Sequence, residues 1–507
     1  MSHVIEPTTE TTAIPSEGDE AEASTQLHTG SHDLPVSAAL ERFMADDWAT
    51  PATPDGGPRE VAVWAAKRRS RLSEQFAGER VVVPSGSYLA RSNDQDFRFR
   101  PHSDYVWLTG DQTSDCVLVL EPTAGGHDAI LFLRPRAERE VSQEFWRDRQ
   151  YGDFWAGRRP SLAESMAELG IECRHVDELP GLLRSPAPTR VRRGVDARVE
   201  AAAGDVRSRA SLSQASLDGL DQELAATLSE LRLVKDPFEL TQLQAAVDST
   251  IRGFRDVVAE LPASRGLERG ERWIEGTFWR RARLEGNDVG YTSIVAGGPH
   301  ATTLHWIAND GAVRDGDLLL LDMGVETDEL YTADITRTLP VSGRFTPLQR
   351  ELYELVRAAQ DAGIAAVRPG AAFRDFHHAA MNVMAHGLAD LGLLPCSAEQ
   401  ALDPSSTIYR RWTLCGTGHM LGLDVHDCAQ ARAEQYLDGE IQPGHVLTVE
   451  PGLYLQADDL RLPEHLRGIG IRIEDDLVVT DDGARNMSAG LPRSPDAIEA
   501  WMGELLP

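Results

Sequence analysis

Several shortages narrow what this chain can be. From Met1 to about Pro35 there is no Lys or Arg, while Glu, Thr, Ser and Pro are frequent. Such a composition cannot bury enough apolar surface to order itself, so the stretch reads as a disordered acidic tail. Cysteine is sparse: Cys116, Cys173, Cys396, Cys415 and Cys428 are odd in number, scattered and without CxxC spacing. That argues against both a disulfide framework and a thiolate zinc site, and it fits a reducing cytoplasm. No uninterrupted apolar run approaches the ~20 residues a membrane helix needs, and the first residues lack a basic-then-apolar leader. Positive charge is also short, 50 Lys and Arg against 80 Asp and Glu, giving a net charge of −30 and a pI near 4.9. Phosphate backbones and anionic membrane would be repelled. The expectation is a soluble cytoplasmic protein with neither nucleic acid nor membrane as partner.

What is present is enough for two cores: 507 residues with 41% hydrophobic content exceed one ordinary domain. Residues 1–57 form the tail and its lead-in. A helical pattern from Pro58 to about Phe76, the strand-like run Arg80 to Val83, the apolar YVWLTG at Tyr105 to Gly110, and a hairpin around Gly125-Gly126 open an α/β domain over 58–236. A long helix candidate covers Ser213 to Leu233. Lys235-Asp236-Pro237 then starts a new helix, with Leu240, Leu243, Val247, Ile251, Phe254 and Val258 on one face. From Pro237 to the C-terminus helices (about Trp273–Glu285 and Leu348–Val367) mix with antiparallel strands (Val446–Val449 and Gly470–Val479), so the 237–507 domain reads as α+β.

The chemistry gathers in the second domain. In DLLLLDMGVETDELYTADITRTLP, Asp317 to Pro340, two strands carry one carboxylate each, Asp322 and Asp334, equidistant from Asp328. A hairpin symmetric about that residue would set them face to face with Cβ atoms ~5 Å apart, and two such charges in an apolar sheet call for a cation between them. The plain alternative is that Asp322 ends a strand before Gly324 and Asp334 lies on a solvated face, and the hairpin alone does not choose. TGHMLGLDVHD supplies His419 and His426, VLTVEPGLY ends a strand in Glu450, and GIGIRIEDDLVVT places Arg472 and Glu474 on one strand face. Each of these is commonplace taken singly. Asp475 and Asp476 read as a solvated break in that last strand, with no chemistry assigned. Together, four carboxylates and one imidazole beside apolar β runs suit a pair of divalent cations of the manganese, cobalt or zinc type. Two such ions ~3.5–4 Å apart can polarise a carbonyl, and amide hydrolysis follows.

These motifs, LHW with His305, LLLDMG, ADITRT, GHMLGLDVHD, VEPGLY and GIRIEDD, resemble in order and spacing those of the pita-bread-fold metallopeptidases, nearest to the Xaa-Pro aminopeptidases (aminopeptidase P). SDYVWLTGD at Ser103–Asp111 and FWAGRR at Phe154–Arg159 resemble that family's N-terminal domain less sharply. The resemblance implies a pita-bread catalytic domain behind a smaller α/β domain of the creatinase/aminopeptidase P type. It implies two divalent ions, manganese first: Asp322 on one, Asp334 and Glu474 bridging, His419 and Glu450 completing the second. It further implies substrate-facing roles for His305 and His426, supporting hydrogen bonds from Arg472 and Tyr454, and a dimer or tetramer acting on peptides with proline second. One departure stands out. The family's usual His-Gly, four residues before the metal His, is Cys415-Gly416 here. A prolidase acting on Xaa-Pro dipeptides would share nearly every motif, and a catalytically silent binding relative is the reading that Cys415 alone favours. Retention of all five ligand residues opposes silence, since unpaired buried carboxylates cost several kcal/mol.

Overall fold

The computed structural model describes residues 34–49, 57–140, 142–208 and 213–506; the acidic tail expected over Met1–Pro35 lies outside them but for its last two residues. Part of the lead-in is ordered on the body of the protein. A helix at Ala38–Met44 capped by Ser37 precedes Trp48, whose ring meets Phe145 and Phe154 edge-on at 5.7 and 5.8 Å.

The N-terminal half is built on a five-stranded sheet made of β1 (Arg80–Pro84), β2 (Val117–Thr123), β3 (Gly126–Leu133), β4 (Glu172–His175) and β5 (Thr189–Val191). Its order is β4-β3-β2-β1-β5, with antiparallel pairs in the middle and a parallel pair at each edge. Val81, Val82 and Val83 are all buried, as expected of a run covered on both faces. α1 (Glu60–Gln75) covers the sheet, and the YVWLTG stretch belongs to a fully buried helix, α2 (Ser103–Thr109), closed by Gly110 in the left-handed region. α3 (Gln214–Leu233) leads toward the second half.

α4 (Pro237–Ser264) opens with a capping box, Asp236 accepting from the Glu239 amide while the Glu239 carboxylate accepts from Asp236, and with Pro237 in the first turn. Leu243, Val247, Phe254 and Val258 are buried as the three- and four-residue spacing requires, with Leu240 and Ile251 at the margin. α5 (Gly270–Glu285) follows. A three-stranded antiparallel sheet then places β7 (Leu318–Met323) between β6 (Ile294–Gly297) and β8 (Ile335–Pro340). β7 is buried on both faces: Leu319 and Leu321 join the main core, whereas Leu320 packs with Ile294, Ala296 and Ala301. Burying each such leucine stabilises the fold by ~1.5–3 kcal/mol. α6 (Pro347–Ala366) and α7 (Asp375–Asp390) pack as a pair outside the sheets; α7 had not been expected from the sequence. The last strands are β9 (Val446–Val449), β10 (Gly452–Leu455), β11 (Ile469–Arg472), β12 (Asp475–Thr480) and β13 (Gly483–Asn486). They form two sheets, β9-β12-β13 and β10-β11.

Two expectations need correction here. The hairpin is not symmetric about Asp328: Asp322 pairs with Thr336 and Met323 with Ile335, which centres it on Glu329. The cause is a three-residue loop, Asp328–Leu330, with Leu330 in the left-handed region (φ 67) and the Thr327 amide donating to the Tyr331 carbonyl. A slip of two in the pairing keeps both aspartates on one face but sets them diagonally. Gly324 lets the strands close there, since a Cβ would lie 1.8 Å from the Ala333 carbonyl oxygen. The second correction concerns Gly468–Thr480, which is two strands in two sheets, broken at Ile473-Glu474. Asp475 and Asp476 are not a solvated break but fully buried. Asp475 accepts from Arg337 Nη2 (2.7 Å), Ser488 Oγ (2.6 Å) and Gln360 Nε2 (3.0 Å), and Asp476 Oδ2 accepts from the Asp334 amide (3.1 Å).

Arg337 is the tie between β8 and β12: besides Asp475 it donates to the carbonyls of Thr336, Glu474, Leu491 and Pro492, all from a buried position. Arg337→Met should therefore lower unfolding free energy by ~3–5 kcal/mol, because it strips a buried carboxylate of the nearer of its two arginines and leaves carbonyls without donors. Urea denaturation measures this; a loss below about 1 kcal/mol would show that Arg493, 3.3 Å from Asp475, suffices by itself.

Candidate metal centre

Asp322 is the last residue but one of β7, Asp334 stands immediately before β8, and Glu474 sits at the break between β11 and β12. Glu450 follows β9, held by its amide donating to the Thr417 carbonyl at 2.8 Å. The His419 segment runs beside β9: the His419 amide donates to Thr448 Oγ1 (3.2 Å) and the Thr448 amide to the His419 carbonyl (2.9 Å). Gly418 permits that approach, as a Cβ there would fall 2.0 Å from the Thr448 carbonyl oxygen. All nine residues singled out from the sequence, Asp322, Asp334, His419, Glu450, Glu474, His305, His426, Arg472 and Tyr454, line one cavity of about 560 Å³, together with Cys415.

The geometry inside is close. Ligand atoms of Asp334, His419 and Glu474 lie within 4.8 Å of one another. His419 Nδ1 donates to the Met420 carbonyl at 3.0 Å, which turns Nε2 toward Asp334 Oδ2 (3.3 Å) and Glu450 Oε1 (3.7 Å). Arg472 Nη2 is paired with Asp322 Oδ2, Nη1 donates to Tyr454 Oη (3.0 Å) and Nε to Thr336 Oγ1 (3.2 Å). Thr336 Oγ1 in turn donates to Glu474 Oε2 at 2.8 Å. The His426 ring stands edge-on to His419 with centroids 4.4 Å apart, and His305 lies on the loop between β6 and β7. Cys415 Sγ is 3.9 Å from Tyr454 Oη, and burial pushes its thiol up to about 11, so it is a neutral group.

Electrostatics give the cluster its character. Burial pushes the Glu450 carboxyl up to about 7 despite His419 and Arg472, and burial with Asp334 holds Glu474 well above the carboxylate range. Asp334 is raised by burial and by Asp322. Burial works against charge on His419, yet the bond to Asp334 and the nearby Glu450 outweigh it and bring it up to about 9. Burial and the neighbouring His419 hold His426 below the ordinary histidine range. A set of this kind is neutral only when protons or cations sit among the oxygens. Glu474 Oε1 is buried and without a hydrogen-bond partner among the described residues, although its twin oxygen is bonded. The donor set of carboxylate oxygens and one imidazole nitrogen, with the imidazole's other N–H fixed on a carbonyl, fits a hard to intermediate divalent ion.

Sequence reasoning missed Tyr291. Its hydroxyl lies 2.6 Å from both Asp322 Oδ1 and Asp334 Oδ1, and burial with those two carboxylates raises its pKa well above the usual phenol. One hydroxyl proton cannot serve two carboxylates at once. Nothing in the local pattern of GYTS marks it, because its partners are more than thirty residues away in sequence. Thr336 and Asp476, which brace Glu474 and the Asp334 amide, were missed for the same reason.

Residues 241–481 match the model of metallopeptidase family M24, and residues 65–190 match that of the aminopeptidase P N-terminal domain. The chain is 56% identical over 470 residues to Xaa-Pro aminopeptidase 2 of Streptomyces coelicolor, covering 92% of this chain and 96% of that protein. It is 53% identical over 499 residues to Xaa-Pro aminopeptidase 1 of the same organism, covering 98% and 99%. Its fold is similar to that of Escherichia coli aminopeptidase P solved with the inhibitor Pro-Leu, with a TM-score of 0.77 and 30% identity over 88% of this chain and 99% of that one. The smaller α/β domain ahead of a pita-bread domain is the architecture these matches share.

Tyr291→Phe removes the one hydroxyl shared by Asp322 and Asp334 without changing the ring. Divalent-ion affinity should fall ~10–100-fold, as is usual when a group bracing a ligand is lost. Calorimetric titration with manganese checks this, and an unchanged affinity would mean the hydroxyl does not hold the two carboxylates in place.

Proposed function

The chain belongs to metallopeptidase family M24, in the aminopeptidase P branch, and from that premise we propose that it releases the N-terminal residue from peptides whose second residue is proline, using a pair of divalent ions, manganese first. It is a hydrolase, a metallo-exopeptidase that depends on divalent metal and takes peptide substrate. The observation that carries the finer reading is the convergence of Asp322, Asp334, His419, Glu450 and Glu474 on one cavity, with a buried Glu474 oxygen left unpartnered. We assign Asp322 to one ion, Asp334 and Glu474 to both, and His419 and Glu450 to the second. Ions held there supply Lewis acidity, polarising a scissile carbonyl and lowering the pKa of water.

The chain's own residues do the rest. Arg472 neutralises Asp322 and fixes Tyr454, so the wall of the cavity is rigid before substrate arrives. His426, neutral at pH 7, can donate one N–H to the carbonyl oxygen or take a proton at its free nitrogen. His305, which also lines the cavity, faces the substrate in this reading. Ile294, Leu304, Ile307 and Val425 provide apolar lining that suits a proline ring, whose nitrogen has no hydrogen to satisfy. Among the described residues no helix is long and apolar enough to cross a membrane, and all five cysteines are free thiols. We place the protein in the cytoplasm as a homo-oligomer.

Metal analysis of the purified protein, together with a series of Xaa-Pro peptides of two to six residues and Xaa-Ala controls, tests the reading. Two ions per chain and cleavage of tripeptides and longer are expected. Cleavage confined to dipeptides would make it a prolidase, and bound metal without cleavage would make it a binding protein.

His426→Ala should lower turnover ~10²–10⁴-fold at unchanged metal content, the usual range for a general acid-base or oxyanion group. Loss of metal in that variant would make His426 a ligand instead. Cys415→His should raise turnover roughly ten- to a hundredfold if the thiol stands where one hydrogen bond to the transition state is missing. Equal or lower kcat/KM at saturating manganese would show that Cys415 belongs to a repurposed pocket.

A further inference from the structure

Glu271 lies in the first turn of α5, is 0% exposed and does not line the cavity. Both its oxygens are fully committed to the segment 297–311. Oε1 accepts from the Gly297 amide (2.8 Å) and faces His300 Nδ1 (2.8 Å); Oε2 accepts from Trp306 Nε1 (2.9 Å) and the Gly311 amide (2.7 Å). A carboxylate has about four lone-pair sites, so this one is saturated by a single loop. The His300 and Trp306 rings stack with centroids 3.9 Å apart, so two of the four donors arrive as one unit. Gly311 is part of the fit, since a Cβ there would lie 2.8 Å from Glu271 Oε1 and 2.5 Å from the His300 ring. His305 precedes Trp306 directly. On its other side the Leu304 carbonyl faces Arg472 Nη2 at 3.5 Å. Thr302, bonded to Gln456, and Asn309, bonded to Ser293 and Val295, secure the segment farther out.

We propose that Glu271 is a positioning residue for the reaction: by clasping Trp306, His300 and two glycine amides it holds His305 against the cavity. This rests on the substrate-facing reading of His305. Glu271→Gln keeps the shape but, even with its NH₂ turned toward His300, sets that NH₂ against the Gly297 amide. In the metal-loaded enzyme kcat should fall roughly 10- to 100-fold, the scale of a small misplacement, with KM within about threefold. Metal content should not change, and amide hydrogen exchange across 297–311 should quicken. In a His305→Ala background the same substitution should cost less than about threefold, because the two act as one unit. A full multiplicative loss in that background, or unchanged exchange across 297–311, overturns the proposal. Should Glu271→Gln not fold, Trp306→Phe removes a single bond of the clasp while keeping the stacked ring, and the same exchange and background comparisons then decide. If the wild-type enzyme cleaves no Xaa-Pro peptide, the functional reading fails on its own, and the exchange measurement still decides whether Glu271 orders the loop.

Discussion

Asp322, Asp334, Glu450 and Glu474 crowd one another on the wall of a single cavity, and the surrounding contacts are arranged around their mutual repulsion. Only Asp322 is given a guanidinium, Arg472. Glu474 receives a threonine hydroxyl on one oxygen and, among the described residues, nothing on the other, and the Asp334 backbone is tethered from behind by Asp476. Had the neighbourhood supplied an arginine to each carboxylate, the cluster would be a structural salt-bridge network. Asp334 and Glu450 instead share the single imidazole of His419, so four carboxylates face two cationic side chains. That shortfall gives a site whose free energy improves when metal cations enter, which separates a metal centre from a merely charged cavity.

The cavity's lining comes wholly from residues 291–474, but one of its loops is braced from earlier in the chain. Arg232, fully buried at the end of α3, pairs with Asp104 of α2 and with Asp424 and Asp427, which flank His426. Lys235, equally buried, donates to Asp427 at 2.8 Å. Arg100, in the N-terminal half, donates to Glu326 beside the hairpin loop and to the Leu423 carbonyl. The segment carrying His426 is thus pinned by side chains from the first domain and from the link between the two. Separating the domains would loosen a loop of the site, not merely expose a surface.

How much of this could be seen in the sequence differs by distance along the chain. Helix α4 was legible because its start is a local matter of Asp236, Pro237 and Glu239 and its face a matter of spacing. The nine cavity residues were legible because each sits in a short motif of recognisable order. Face was legible on the hairpin as well, since period two survives any even slip. Register was not: a leucine in the left-handed position of the loop gives no glycine signal. Asp475 and Asp476 misled for a related reason, since consecutive carboxylates look solvated until Arg337, Ser488 and the Asp334 amide arrive from other strands. Tyr291 and Glu271 act wholly through partners distant in sequence, and no pattern of neighbours announces either.

The five residues assigned to the ions come from β7, the segment just before β8, the His419 segment, the residue after β9 and the β11–β12 break, so no short stretch of the chain contains the site. Unfolded polypeptide offers ions only isolated carboxylates, and the clustered geometry exists once strands far apart in sequence have met, which is the slow part of assembling such a topology. Ion binding is therefore selective for the finished protein, and by mass action it adds RT ln(1 + [L]/Kd) to stability. The melting temperature of this protein becomes a gauge of the free divalent metal around it, so that a cell short of the ion loses the protein's thermal margin together with its turnover.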